Sequence, residues 1–320
     1  MVEVGSTDQT EERIDSFKAA QAVLAQLPSD HQQLSPWLRW SDEVFAEQPW
    51  QQALNQSMII AYARMTLRNG ALSEHPRSYH NERHIDDLLT RIFYCAEQYK
   101  TQINPNGLAI LSFFAACHDL RQDEPRNTSN PTSLVGANEA ASFAEAARII
   151  AMTGADSLWN EHHMLLLRTM IEGSTFGSGG KRSQNFFQGN LAKHLLQQLS
   201  LPNKNDEQLV LLACDIDTAN VSLNLAEFAQ SAVAIFDELK SHQNVETSAH
   251  QFFGEQQKIY FFDQQQFNAK ITLDLFEPKK QNNKNKLLAL SAYINQQDPL
   301  LSAESIKAKF LKKARELATQ

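Results

Sequence analysis

The stretch LAILSFFAACHDL, Leu108–Leu120, decides the fold. Its first ten residues are apolar on nearly every side of a helical projection, so a helix over 108–117 belongs inside the core. The run then stops on His118 and Asp119. A carboxylate taken out of water needs a cation or a dense set of hydrogen bonds, so this dipeptide is the first pointer to chemistry.

The same helical period extends outward in both directions. Ile85, Leu88, Leu89, Ile92, Phe93 and Ala96 follow the i, i+3, i+4, i+7 spacing of a half-buried helix over 85–96. Segments 138–152, 158–171, 190–199, 206–221 and 225–240 also read as helices. Gly107, Gly136, Gly154 and Gly173, with Pro105, Pro131 and Pro202, fall between these patterns, where helices should stop. There is no βαβ alternation and no internal repeat. Gly and Pro together make up 21 of 320 residues, too few for a turn-rich all-β or collagen-like chain. The expected class is all-α.

Composition excludes several functions. A net charge of −8 disfavours a nucleic-acid binder, which is normally basic. No apolar run approaches the ~20 residues of a membrane span. The start, MVEVGSTDQTEERID, is polar and acidic, unlike a secretory signal. Cys95, Cys117 and Cys214 form no CxxC and no even framework, which fits a reducing cytosol and a cytoplasmic protein. The length suits one large domain or two small ones. The expected organisation is an N-terminal helical extension (1–50), a core (51–240) and a C-terminal helical extension (241–320). Trp37, Trp40, Phe45 and Trp50 are available to dock the first of these. From Pro278 onward nine Lys/Arg stand against three acids, a local charge of +6, so the remainder carries −14. The run KKQNNKNK (279–286) reads as a solvated connector into a basic helix, 302–318, which Phe310 and Leu311 would dock. That basic tail reads as a solvated helix face.

Further polar residues interrupt apolar segments. His80 and His84 lie four apart in YHNERHIDDLL and would share a face if both are helical. Asp215 sits inside LVLLACDIDTANVS (209–222). A His-Asp dipeptide or a His pair alone carries little weight. The order His, then His-Asp, then Asp in a later apolar helix points to a divalent metal, because imidazoles with carboxylates suit borderline or hard ions.

In these motifs the chain resembles the HD-domain metal-dependent phosphohydrolases, whose ligand set H…HD…D stands on an all-α helical bundle. RSYHNERHIDDLL (77–89) is similar to the YHNxxH helix shared by cyclic-nucleotide phosphodiesterases and small bacterial HD proteins. FFAACHDL (113–120) matches the FxHD helix, GANEAASFAEAA (136–147) resembles an NEExSA element, and LLACDIDTANVS (211–222) resembles the final ligand helix. The resemblance runs from about Tyr79 to Asp217. It implies that His84, His118, Asp119 and Asp215 are metal ligands, and that His80 gives a proton to the leaving oxygen. Glu139 would orient a metal-bound water, or serve only as an acid at a helix N-terminus. Asp217 would be an outer partner, pointing to another side of its helix. The implied activity is hydrolysis of a small phosphate ester or nucleotide by metal-activated water, with Mn, Fe, Mg, Zn, Co or Ni as the ion. Two alternatives stand beside it. One is a regulatory module that binds metal or nucleotide without turnover; the long flanks favour an added role such as homodimer formation or partner docking. The other is a di-iron oxygenase, which would need two more histidines.

The chain also departs from the family. Phosphodiesterases carry HDxxHxGxxN, whereas this chain has HDLRQDEPRN, with Gln122 at the second histidine position and Asn127 kept. His162, His163 and His194 are the candidates for extra ligands, and the first two read as surface or core-edge residues. GSTFGSGGKRS (173–183) fails the phosphate-loop pattern, since Thr175 occupies the first required Gly position and Arg182 replaces Ser/Thr. Lys181 and Arg182 remain candidate contacts to a substrate phosphate. Cys117 and Cys214 continue apolar runs and read as core.

Overall fold

The computed structural model describes residues 6–28, 34–125, 133–154, 157–178, 188–199, 201–242 and 246–320. It is 71% helical with 1% strand, so the protein is all-α. Two compact units divide the chain. The first is Met1–Pro76, His80–Phe176 and Asn190–Ile216; the second is Arg77–Tyr79, Gly177–Gly189 and Asp217–Gln320. No helix among the described residues is long and apolar enough to cross a membrane.

The first unit carries α1 (Gln9–Arg13), α2 (Phe17–Leu24), α3 (Leu34–Val44), α4 (Gln51–Arg68), α5 (Glu82–Gln98), α6 (Pro105–Cys117), α7 (Ala137–Thr153), α8 (Glu161–Gly173), α9 (Ala192–Gln198) and α10 (Lys204–Asp217). Two short strands, β1 (Phe176–Ser178) and β2 (Gln188–Asn190), pair with each other. The helix starts follow from capping residues. Asn104 Oδ1 accepts the Gly107 N–H at 2.7 Å, with Pro105 in the first turn where its missing N–H costs nothing. Asn81 and Asn160 cap α5 and α8 in the same way. Gly154 ends α7 at φ 67, the left-handed conformation that glycine adopts without a Cβ penalty.

Every residue of α6 from Gly107 to Cys117 is buried, as its all-round apolarity requires. It packs against α4, α5, α7 and α8, while α4 also receives α1, α2 and α3. Trp37, Phe45 and Trp50 are buried, and Trp40 lies 4.8 Å (ring centroids) from Phe93 of α5. All three cysteines are buried thiols; burial pushes the Cys117 thiol well up, which suits packing and not nucleophilic chemistry.

The N-terminal helices do not stand apart as the expected 1–50 division had them. Asp8 and Glu11, at the cap and on α1, neutralise a buried arginine cluster. Arg64 reaches Glu11 at 3.1 Å and Glu145 at 3.2 Å, and also donates to the Ile14 carbonyl. Arg68 pairs with Asp8 at 2.7 Å and Glu145 at 3.0 Å. Arg121 and Arg148 reach Glu11 at 3.1 and 2.6 Å. Such pairing joins residues far apart in the chain and leaves no periodic trace.

The second unit begins with a 3₁₀ turn, Ala219–Ser222, and α11 (Leu225–His242). The expected helices over 206–221 and 225–240 therefore meet a unit boundary, and the second of them groups with the C-terminal part. Next come α12 (Ala249–Gln251), a π-helical turn Phe252–Gln256, α13 (Gln257–Ile259) and a second π-helical turn Tyr260–Gln264. Then follow α14 (Lys270–Leu275), α15 (Glu277–Asn295) and α16 (Ala303–Ala318). Phe236, Phe252, Phe253 and Phe310 form its aromatic centre, with Phe253 and Phe310 at 4.5 Å. Phe310 thus docks α16, as expected.

The run KKQNNKNK is not a solvated connector: it lies within α15. Lys280 and Asn283 are buried and extend the stripe of Leu287, Leu290 and Ile294 at helical spacing. Their side chains donate to loop carbonyls, Lys280 Nζ to Gln265 at 2.6 Å and Asn283 Nδ2 to Val221 at 3.1 Å. Lys307 pairs with Asp237, and Lys313 with Glu316, so part of the basic tail is engaged within the unit.

Removing one partner from a buried ion cluster leaves charge uncompensated. Arg64→Ala should destabilise the protein by about 3–5 kcal/mol in urea unfolding; a loss below about 1 kcal/mol would show that the cluster adds little.

Candidate metal centre

Three helix ends supply the polar groups of the site. His84 lies in the first turn of α5, His118 caps the C-terminus of α6 with Asp119 just beyond it, and Asp217 is the last residue of α10. Asp217 closes α10, whose other residues belong to the first unit. His84, His118 and Asp217 each offer a donor atom, all within 4.8 Å of one another, and both histidines are buried. Two donors on one ion with bonds of about 2.0–2.2 Å stand at most roughly 4.4 Å apart. A small inward movement closes the difference, and the mixed nitrogen and oxygen set fits a divalent cation.

Asp119 stands against the same histidines. Its Oδ2 lies 2.9 Å from His118 Nε2, 3.6 Å from His84 Nε2 and 4.0 Å from His80 Nε2. Burial pushes the Asp119 carboxyl up, but His118, His80 and His84 outweigh burial and hold it well below the usual carboxylate range. His80 is not helical: Asn81 is the cap of α5, and His80 precedes it. It still reaches the cluster, with its ring centroid 6.0 Å from that of His84.

The carboxylate grouped with the two histidines is Asp217, where the sequence pointed to Asp215. Residues two apart on a helix face nearly opposite ways at about 3.6 residues per turn, so one of the pair was bound to face elsewhere. Asp215 is completely buried within the apolar body of α10, whereas Asp217 sits where the helix ends. A positional signal existed: the His118-Asp119 pair also follows the last turn of its apolar helix.

The other candidate residues have local settings of their own. Glu139 lies in the first turn of α7 with its carboxylate folded over Gly136, so close that a Cβ there would stand 1.8 Å from Oε2. That is the position of an acid at a helix N-terminus. His162 pairs with Asp206 at 3.1 Å, half-exposed, and His194 Nε2 is 3.0 Å from Gln198 Nε2. His163 Nδ1 faces the Leu158 carbonyl. Lys181, Arg182 and Asn127 lie outside the described residues. Sequence reasoning missed Arg91, a buried arginine in the apolar stripe of α5 that donates to the Ile216 carbonyl at 2.6 Å. It fastens the final turn of α10 next to Asp217, and a cation near a helix C-terminus is favourable. No family model and no curated protein matches this chain.

α5 carries a second polar face. Glu82 is buried, with Oε1 accepting the Ala71 N–H at 3.1 Å. Asp86 accepts from the Tyr62 hydroxyl at 3.1 Å. Burial, reinforced by Glu82 and Asp87, pushes the Asp86 carboxyl up to about 7 against the Tyr62 hydrogen bond.

Two outcomes follow for this site. Asp217→Asn should weaken divalent-ion binding by more than the about 10–100-fold typical of groups that only orient a ligand, as read by calorimetric titration of chelated protein. A loss confined to Asp215→Asn would restore Asp215 as the ligand. For Asp86, the native state holds the proton more tightly than the unfolded chain. Its contribution to stability is therefore present below the ordinary carboxylate pKa and lost as pH rises through about 7. Asp86→Asn should melt higher than wild type at pH 8, with the advantage shrinking steadily as pH falls toward the ordinary carboxylate pKa; parallel pH profiles would refute this.

Proposed function

We propose that this chain is an HD-type metal-dependent phosphohydrolase that cleaves a small phosphate ester or nucleotide. One observation carries the reading: three imidazoles and the Asp119 and Asp217 carboxylates gather at the ends of α5, α6 and α10. So dense a set of proton-binding groups beside a wholly buried helix has a reason if a cation belongs among them.

His84, His118, Asp217 and Asp119 would hold the ion. When bound, a divalent ion supplies Lewis acidity, polarising a phosphoryl oxygen and making water acidic enough to furnish hydroxide near neutral pH. The ligand histidines are buried, while the His80 side chain is 33% exposed and stands at the edge of the cluster. It is the group with access to both Asp119 and solvent. When protonated, its Nε2 can donate to the oxygen that leaves phosphorus. Asp119 then keeps two tasks, holding the cation and fixing the His80 ring.

The test is phosphate release from a panel of phosphate esters and nucleotides as Mn, Fe, Mg, Zn, Co or Ni is returned to chelated protein. Wild type should turn over with metal and His118→Ala should not. His80→Ala should retain metal binding yet lose about 10²–10⁴-fold in kcat on alkyl esters. On aryl esters, whose leaving group departs without a proton, the loss should be far smaller. Metal binding without turnover on the whole panel would leave a regulatory binding module instead.

A further inference from the structure

The Asp119 carboxylate has two oxygens, and its Oδ2 lies against the histidines. Oδ1 accepts a hydrogen bond from Gln122 Nε2 at 3.1 Å. Gln122 Oε1 in turn accepts from Asn138 Nδ2 at 3.2 Å, and Asn138 Oδ1 accepts the backbone N–H of Glu124 at 2.9 Å. We infer that Gln122 and Asn138 form a directional amide relay that positions Asp119 for the metal, with Gln122 as the positioning residue. The inference rests on the metal-site reading above.

The polarity of the relay is set from both ends. A side-chain amide can be turned end for end, so its orientation has to come from its neighbours. The Glu124 N–H can only donate, which directs Asn138 Oδ1 toward it and Asn138 Nδ2 toward Gln122. Gln122 must then present Oε1 to Asn138 and Nε2 to Asp119. An ionised carboxylate can only accept, so the far end demands the same orientation. Two amides between a fixed donor and a fixed acceptor leave one consistent arrangement.

The backbone is shaped to bring these groups together. Asp123, between Gln122 and Glu124, has φ 60, a left-handed conformation uncommon outside glycine and tolerated by Asp. That turn lets the Gln122 side chain and the Glu124 N–H meet the same Asn138. The Arg121 N–H donates to Ser142 Oγ at 3.0 Å, a second tie between this loop and α7. Asn138 and Ser142 are one helical turn apart, so α7 serves as the rail on which the loop bearing Asp119 is aligned. Gln122 occupies a position where phosphodiesterases carry histidine, and here its amide donates to the aspartate.

Asn138→Asp provides the sharpest test because it keeps the acceptor for Glu124 N–H and touches neither Asp119 nor the histidines. It removes the donor to Gln122, whose amide should turn to give Nε2 to the new carboxylate and present Oε1 to Asp119. Oxygen would then face oxygen, and Asp119 would be displaced. Titration of Mn or Zn into the chelated full chain should show affinity lowered by about 10–100-fold for Asn138→Asp and for Gln122→Ala. In the Gln122→Ala background the Asn138→Asp change should have no further effect. The metal-free melting temperature of Asn138→Asp should stay near that of wild type. A purely structural Asn138 predicts no change in affinity, and the added negative charge alone predicts tighter binding; either result overturns the relay. If wild type itself binds no divalent ion, the metal site falls and the relay with it. Binding by wild type and equal binding by the variants removes the relay alone.

Discussion

A carboxylate that follows a wholly buried helix must be neutralised where it stands. Residues 107–117 of α6 are all buried, and the chain emerges from it at a buried His118 and a partly exposed Asp119. Three histidines meet that demand at Asp119 Oδ2, and the helices that deliver them are arranged by it. α5 must bring its first turn to this point, and α10 its last. Arg91 ties the end of α10 down through the Ile216 carbonyl. The geometry of the site is thus a consequence of where three helices stop, and capping residues such as Asn81 and Asn104 share in defining it.

A second buried charge problem is solved differently. The arginines of α4 and the loop after α6 are met by Asp8 and Glu11 from the N-terminal end and by Glu145 from α7. Here anions and cations balance within the protein, and no external ion is called for. At the candidate metal centre histidines predominate over a few acids, a mixed nitrogen and oxygen set that suits a divalent cation. The contrast separates a charge-balanced cluster from one rich in metal-binding donor atoms.

Much of this was legible in the residues. α5 and α6 followed from periodicity, and His84, His118 and Asp119 from being polar where the pattern was apolar. What escaped was decided by geometry that periodicity does not contain. Asp215 and Asp217 cannot be ranked without knowing which way α10 faces as it ends. Whether His80 was helical stood open in the sequence, and Asn81 starts the helix after it. KKQNNKNK is polar by composition, and its inward residues, Lys280 and Asn283, are there to satisfy carbonyls rather than to exclude water. The ion pairs of Glu11 join residues more than fifty positions apart, and sequence spacing is silent at that range.

The distance along the chain between His84 and Asp217 bears on how the protein is made. In zinc fingers closely spaced ligands let the ion bring the chain together, and folding waits for metal. Here His84 and Asp217 are separated by four intervening helices, and closing so long a loop around an ion before those helices pack would cost much conformational entropy. Packing of α6 against its neighbours would therefore come first, and an ion would enter a site already assembled. Such an order would make the metal a late visitor to a finished scaffold, its identity set by cellular supply rather than by the folding of the chain.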